Sequence, residues 1–256
     1  MSRIGIFVYG AVSYIIFLAV FLYGIGFIGG FLTPTMLDGV PRRPLGEALA
    51  INLALLTAFA IQHSGMARPA FKAWWTRVVP EAAERSTYVL LSSLLLLALY
   101  VHWQPMGGVI WNLTKGPSRL AMIGGYLFGW AVLLYATFLI DHFDLFGLKQ
   151  VWRNLAGAEY RAPQFHTPSL YRVVRHPLYI GWLLIFWCAP RMTVAHLVFA
   201  VITTAYILVA IQFEEHDLVT AFGDKYLAYR RQTPMLIPRF WPAKRSADEV
   251  GQQSQL

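Results

Sequence analysis

Six apolar runs divide the chain, approximately Ile4 to Leu32, Leu45 to Ile61, Thr87 to Val101, Leu120 to Ile140, Leu178 to Ala189 and Ala195 to Phe213. A bilayer core about 30 Å thick takes roughly 20 apolar residues in helical form. Lipid offers the backbone no hydrogen-bond partner, so each run must satisfy its own polar groups. The pattern predicts an all-α integral membrane protein, a bundle of five to six transmembrane helices. The fifth run is short, and Ala189-Pro190-Arg191 ties it closely to the sixth, which predicts a C-terminal helical hairpin. With 57% apolar and 13% charged residues, the chain departs from soluble-domain composition. The first run is too long for a signal-peptide core and lacks a small-residue cleavage site, so it is expected to remain as an anchor. Residues 1–242 read as one membrane-embedded domain and 243–256 as a disordered polar tail.

Six crossings place the N-terminus, residues 62–85, residues 141–177 and the segment from 214 onward on one side. That side carries 16 of the 21 Lys and Arg, so the positive-inside rule predicts that it is cytoplasmic, with both termini there. Trp74, Trp75, Trp103, Trp111, Trp152 and Trp241 fall near the ends of runs, as an interfacial aromatic belt requires. The net charge of +8 is explained by this topology, and no nucleic-acid partner is expected. Cys188 is the single cysteine, which excludes an intrachain disulfide. There is no His-Glu-x-x-His and no other convincing metal-ligand spacing, so no metal is expected. The lack of Gly-x-Gly-x-x-Gly removes support for a soluble dinucleotide fold.

The residues able to do chemistry crowd the predicted cytoplasmic side. Pro177 suits the first turn of a helix, which puts His176 at the N-cap and Arg175 just outside it. The free N–H groups and positive dipole end of such a helix attract an anion such as a carboxylate. Tyr179 follows at the third helical position, and Gly181 permits close approach of another backbone or a ligand. Where the sixth run ends stand Glu214, Glu215, His216 and Asp217, and acids at a membrane exit need a cationic partner. A tight hairpin brings Arg175 to the same face. Phe222, Tyr226 and Tyr229, spaced four and three apart, lay an aromatic stripe over that site, with Arg230 beside it. His63, in Gln62-His63-Ser64-Gly65-Met66-Ala67-Arg68, and His142, between Asp141 and Asp144, add two candidate bases. Each pattern also has a structural reading, as snorkelling caps, an interfacial amphipathic helix or interfacial histidines.

Arg175-His176-Pro177-x-Tyr179-x-Gly181, the apolar hairpin, and Glu214-Glu215 followed by Gly223, Tyr226, Tyr229 and Pro238 resemble the isoprenylcysteine carboxyl methyltransferase and phospholipid methyltransferase superfamily. With Gln62-His63-Ser64-x-Met66-Ala67-Arg68 and His142-Phe143-Asp144-Leu145-Phe146-Gly147-Leu148, the pattern is similar along nearly the whole chain to the bacterial methanethiol S-methyltransferases. The resemblance implies S-adenosylmethionine as methyl donor, a small thiol as acceptor, dimethyl sulfide as product and a bacterial inner membrane as location, with lipid as a partner. By position it assigns His176, Tyr179 and Gly181 to the cofactor, with Glu214 and Glu215 holding its polar groups. Arg175 pairs either with the cofactor carboxylate or with those glutamates, while Tyr226, Tyr229 and Arg230 close the site. Residues 1–140 fall on the substrate side and 141–242 on the cofactor side. A small alkanethiol has a pKa above neutral, so thiolate formation calls for a base or a cationic neighbour. His63 or His142 is expected to supply it, oriented by Asp141 or Asp144. Within the same fold, prenylcysteine carboxylate or a phospholipid amine is the alternative acceptor. A haem-binding protein resembling the NnrU family, with His63 or His142 as axial ligand, is the alternative outside it.

Overall fold

Proline and glycine punctuate the apolar runs. In the computed structural model, which describes residues 2–161 and 164–239, α1 (Arg3–Gly29) is capped by Ser2 and ends where Gly30 turns left-handed at φ 74°. Glycine adopts that conformation without a Cβ clash. Next come α2 (Leu45–Ala67), the short α3 (Pro69–Trp75) and α4 (Glu81–His102). β1 (Val109–Asn112) leads into α5 (Pro117–Leu139), which carries its proline at the first position, where the missing N–H costs no hydrogen bond. Two small helices, α6 (His142–Leu145) and α7 (Leu148–Leu155), precede α8 (Pro177–Trp187). β2 (Arg191–Thr193), α9 (Val194–Phe222) and α10 (Asp224–Gln232) complete the described chain. α1, α2, α4, α5 and α9 are the five helices long and apolar enough to cross a membrane. The protein is an integral membrane helical bundle.

Three helices extend six or more residues beyond the predicted runs, α2 reaching Ala67 rather than Ile61. α4 starts at Glu81 rather than Thr87, because Pro80 opens it and Glu81 and Glu84 sit in the first turn, where the helix dipole favours acids. α9 continues past the end of its apolar run, and its 29 residues extend about 43 Å, enough to cross and still carry Glu214, Glu215 and Asp217. The fifth run forms α8, whose 11 residues extend only about 16 Å. It still joins the two ends of the bundle, because the chain after it is extended and β2 pairs antiparallel with β1, matching Val109 to Thr193 and Asn112 to Arg191. This two-stranded ribbon is the one departure from the all-α expectation among the described residues.

α4 packs between α1 and α2, α8 lies along α5, and α9 bridges α8 and α2. Phe27, Leu99, Trp130, Ile185, Phe199 and Ile211 are buried between them. Trp103 belongs to this core and not to the interfacial belt: it is 4% exposed and donates through Nε1 to the Leu37 carbonyl. Trp74 and Trp152 are exposed, while Trp241 and the 243–256 tail lie outside the described residues. Ile15, Leu120, Phe128 and Val209 are exposed on the outer surface, the apolar face that lipid covers.

Candidate active site

Pro177 opens α8 and leaves His176 as its N-cap residue, as the sequence predicts. The extension of α9 puts Glu215 directly beside this entry. Glu215 Oε1 accepts from Arg175 Nε at 2.7 Å and from His176 Nε2 at 3.1 Å, and Oε2 lies 3.2 Å from Arg230 Nε. The Arg175 and Glu215 side chains are 9% and 5% exposed, so this is a buried carboxylate with both oxygens matched by donors. Arg175 also donates to the Thr233 carbonyl, and the backbone N–H groups of Arg175 and His176 donate to Pro234 and Met235. The segment after α10 is thereby stitched to the start of α8. Of the two partners expected for Arg175, the structure supplies the glutamate.

Glu214 is differently placed. Its side chain is 44% exposed, and its Oε2 accepts from the Tyr179 hydroxyl at 2.9 Å. Nearby, Tyr226 is 1% exposed, and its hydroxyl has no hydrogen-bond partner among the described residues. Burial, reinforced by the Glu215 carboxylate, holds this phenol well above its ordinary pKa, so it stays a donor. An unpartnered buried hydroxyl costs about 1–3 kcal/mol, which a ligand acceptor would offset. Phe165 packs over the site with its ring 5.3 Å from Phe222, 5.9 Å from Tyr226 and 5.5 Å from Tyr229. Tyr229 donates to the Tyr171 carbonyl, and burial raises its pKa to about 12. Gly181, expected at the cofactor, is spent elsewhere: a Cβ there would come 2.8 Å from Leu133 N and 2.9 Å from Gly129 O. It lets α8 approach the backbone of α5.

The two candidate histidines occupy different parts of the molecule. His63, near the end of α2, contacts Ser92 and Tyr88 of α4, and its ring stacks on Phe59 at 5.0 Å. Ser64 and the Tyr206 hydroxyl of α9 meet at 2.9 Å, and Arg68 bridges to Asp217 at 2.9 Å. Tyr206 and Asp217 lie on α9, the helix that carries Glu214 and Glu215, so these two contacts tie the end of α2 to that helix. His142 instead lies among Tyr14, Phe138, Phe143 and Phe146, with Nδ1 2.9 Å from Thr137 Oγ1 and Nε2 2.9 Å from the Tyr14 hydroxyl. Burial lowers its pKa, opposed by the adjacent Asp141. Neither aspartate orients either imidazole. Asp141 accepts from Asp144 N and pairs with Lys149; burial pushes its pKa up, but these partners outweigh that and hold it low. Asp144 accepts from the Tyr160 hydroxyl at 2.9 Å. His142 borders a cleft of about 650 Å³ whose lining also includes Lys149, Phe165 and His166.

Neither a protein-family model nor a solved structure matches the chain. Curated relatives do. Methanethiol S-methyltransferase 2 of Bradyrhizobium diazoefficiens is 49% identical, covering 96% of this chain and 95% of its own length. The methanethiol S-methyltransferase of Crocosphaera subtropica is 52% identical over 93% of both chains, and that of Mycobacterium tuberculosis 49% identical over 94% of this chain and 98% of its own. The chain belongs to the methanethiol S-methyltransferase family. The fold gathers Arg175, His176, Tyr179, Glu214, Glu215, Tyr226, Tyr229 and Arg230 at one end of the bundle. Phe165, which the sequence did not single out, packs on Tyr226 and Tyr229, while Tyr88 and Ser92 gather at His63 and Tyr206 meets Ser64. Tyr88 and Ser92 did carry a signal: polar groups four residues apart on one face of an otherwise apolar run.

Proposed function

We propose that this chain methylates methanethiol with S-adenosylmethionine, releasing dimethyl sulfide at the cytoplasmic face of a bacterial inner membrane. Family membership supports the acceptor. The observation that carries the site is the pairing of a neutralised Glu215 with two groups left available beside it, the half-open Glu214 carboxylate and the unpartnered Tyr226 hydroxyl. These fit a ligand that has both cationic and hydroxyl-bearing parts. Glu214 would hold its ammonium or ribose hydroxyls, and Tyr226 would donate to an acceptor atom. Arg230, 49% exposed beyond its contact with Glu215, would meet the carboxylate. The rings of Phe165, Phe222 and Tyr229 would cover the adenine. When bound, S-adenosylmethionine supplies a methyl group on a sulfonium: the acceptor sulfur forms a C–S bond as the donor's C–S bond breaks, its electron pair stays on the departing sulfur, and one proton is released.

The protein's own part is to position the acceptor, exclude water and take that proton. His63 is favoured over His142 because it sits at the end of α2 that Ser64–Tyr206 and Arg68–Asp217 tie to α9, the helix carrying Glu214 and Glu215, whereas the partners of His142 end among aromatic rings. Residues 141–242 would hold the donor, and residues 1–140 the acceptor side. The cytoplasmic assignment rests on the excess of Lys and Arg at this end. To test the reading, purified protein in detergent is incubated with S-adenosylmethionine and methanethiol, and headspace dimethyl sulfide is measured by gas chromatography. Product that disappears in Glu214→Ala supports both reaction and donor site. Intact S-adenosylmethionine binding by calorimetry without dimethyl sulfide would refute the acceptor.

A further inference from the structure

Val151 anchors α7 to the start of α1. It is fully buried in a small cluster with Ile6 and Ala83, and a Cβ on Gly10 of α1 would come 2.6 Å from it. Trp152, the next residue, stays exposed, its ring edge-on to Phe7 at 5.9 Å. Ile4 and Val8, in the first two turns of α1, are exposed apolar residues of the kind that lipid covers. α7 is therefore held at the level where α1 enters the bilayer, with an indole placed as interfacial tryptophans are. The polar side of this helix borders a cavity of about 330 Å³, lined by Lys149, Arg153, Glu159, Tyr160 and Arg161. Lys149 and Arg153 stand four residues apart and share a face. Lys149 is tied to Asp141, whereas Arg161 lies 3.9 Å from Glu159 with the two side chains 88% and 81% exposed, a contact that water weakens. The exposed Arg153 guanidinium has no acid within ion-pair distance among the described residues. Tyr160 gives its hydroxyl hydrogen to Asp144. Arg3 lies over the turn that follows α7, where a Cβ on the left-handed Gly157 would come 2.9 Å from its Nη1.

We infer that this cavity holds the headgroup of an anionic phospholipid, with Arg153 and Arg161 as the charged donors to its phosphodiester. Counting Asp141 behind Lys149, the three cations of the cavity face two acids, and a phosphodiester supplies the missing negative charge. The guanidinium fork suits this partner, because its N–H groups meet two phosphate oxygens at once. Arg3 adds to the field from α1. A free phosphate would meet the same donors, but the cavity stands at the bilayer boundary beside Trp152. A headgroup is already concentrated there, and its acyl chains need not leave the apolar layer. Basic pockets at the membrane-facing ends of transmembrane helices take anionic headgroups in this way.

Purified protein in a neutral detergent is titrated with dioleoylphosphatidylglycerol, and bound lipid is counted by native mass spectrometry. Each cation beside an anionic headgroup is worth about fivefold, so Arg153→Gln with Arg161→Gln is expected to weaken binding by about 25-fold. Arg42→Gln with Arg43→Gln, on the opposite predicted face, should leave it unchanged. Equal binding by the wild type and the Arg153 and Arg161 variant overturns the site, as does an equal loss in the Arg42 and Arg43 variant. Dioleoylphosphatidylcholine binding as tightly as phosphatidylglycerol overturns the preference for an anionic lipid. Inorganic phosphate displacing phosphatidylglycerol at comparable concentration overturns the lipid as occupant. Both arginines are exposed, so the lipid-free variant should melt with the wild type. Should it melt lower, Arg153→Gln alone carries the test, with a loss of about fivefold.

Discussion

Tyr226 separates the needs of the fold from those of the site, because its buried hydroxyl lacks a partner among the described residues. Removing a buried unsatisfied polar atom while keeping the ring relieves a desolvation cost of about 1–3 kcal/mol. Tyr226→Phe is thus expected to leave the melting temperature unchanged or raise it, while weakening S-adenosylmethionine by about tenfold, the worth of roughly one hydrogen bond. Differential scanning fluorimetry and calorimetry read the two effects, and a loss of melting temperature with unchanged affinity would make the hydroxyl structural. Arg175 behaves in the opposite way. Arg175→Ala takes the buried cation from Glu215 and leaves it His176 and the half-exposed Arg230, at a cost below the roughly 3–5 kcal/mol of a fully unpaired buried charge. Adding Glu215→Ala should recover part of that melting loss, because that carboxylate is then gone. The Arg175–Glu215 pair was legible in the sequence, since acids at a membrane exit must find a cation. The Tyr88–His63 contact was not, because it depends on which faces of α2 and α4 meet.

Packing between whole helices decides what Gly181 and His142 do. A Cβ at residue 181 would press on the backbone of α5 at 2.8 Å, and backbone cannot give way as a side chain can. Gly181→Ala is expected to separate α5 from α8 at a cost of about 1–3 kcal/mol, lowering melting temperature and turnover together while Tyr179 still binds Glu214. His142 joins α6 to α1 and α5 through Tyr14 and Thr137. Burial keeps its folded pKa below the unfolded value near 6.5, so the unfolded chain binds the proton more readily. Its contribution to stability is complete above that unfolded value and is lost as pH falls through the folded one. The wild type should therefore melt at a lower temperature at about pH 5.5 than at about pH 7.5. His142→Gln should flatten that slope and retain turnover at the higher pH; an unchanged slope or abolished turnover would give His142 a different role. Helix existence was legible from apolar run length alone. The early start of α4, the long tail of α9 and the β1–β2 ribbon were not, because capping and pairing extend or shorten an element without changing its hydropathy.

At the scale of the molecule, the decisive quantity is the number of traversals. Five helices are long enough to cross, and α8 with the ribbon after it would supply a sixth passage. An even number would put the two termini on the same side of the membrane. The charges argue for an even count, 16 Lys and Arg on one side against 5 on the other, although hydropathy left the shortest passage ambiguous. Orientation bears directly on the proposed chemistry, because the proposed donor, charged and impermeant, would reach Glu214 and Tyr226 from the cytosol only if this end faces inward. Fusing a fluorescent protein that matures only in the cytosol to either terminus should give fluorescent cells. Alkaline phosphatase, active only after export, should be inactive at both termini and active when inserted after Lys115, between β1 and α5. Phosphatase activity at the C-terminus, with the N-terminus fluorescent, would mean that α8 does not complete its passage. The buried Arg175–Glu215 pair could not then form from opposite faces of the membrane, so a single topology measurement constrains the site as well as the fold.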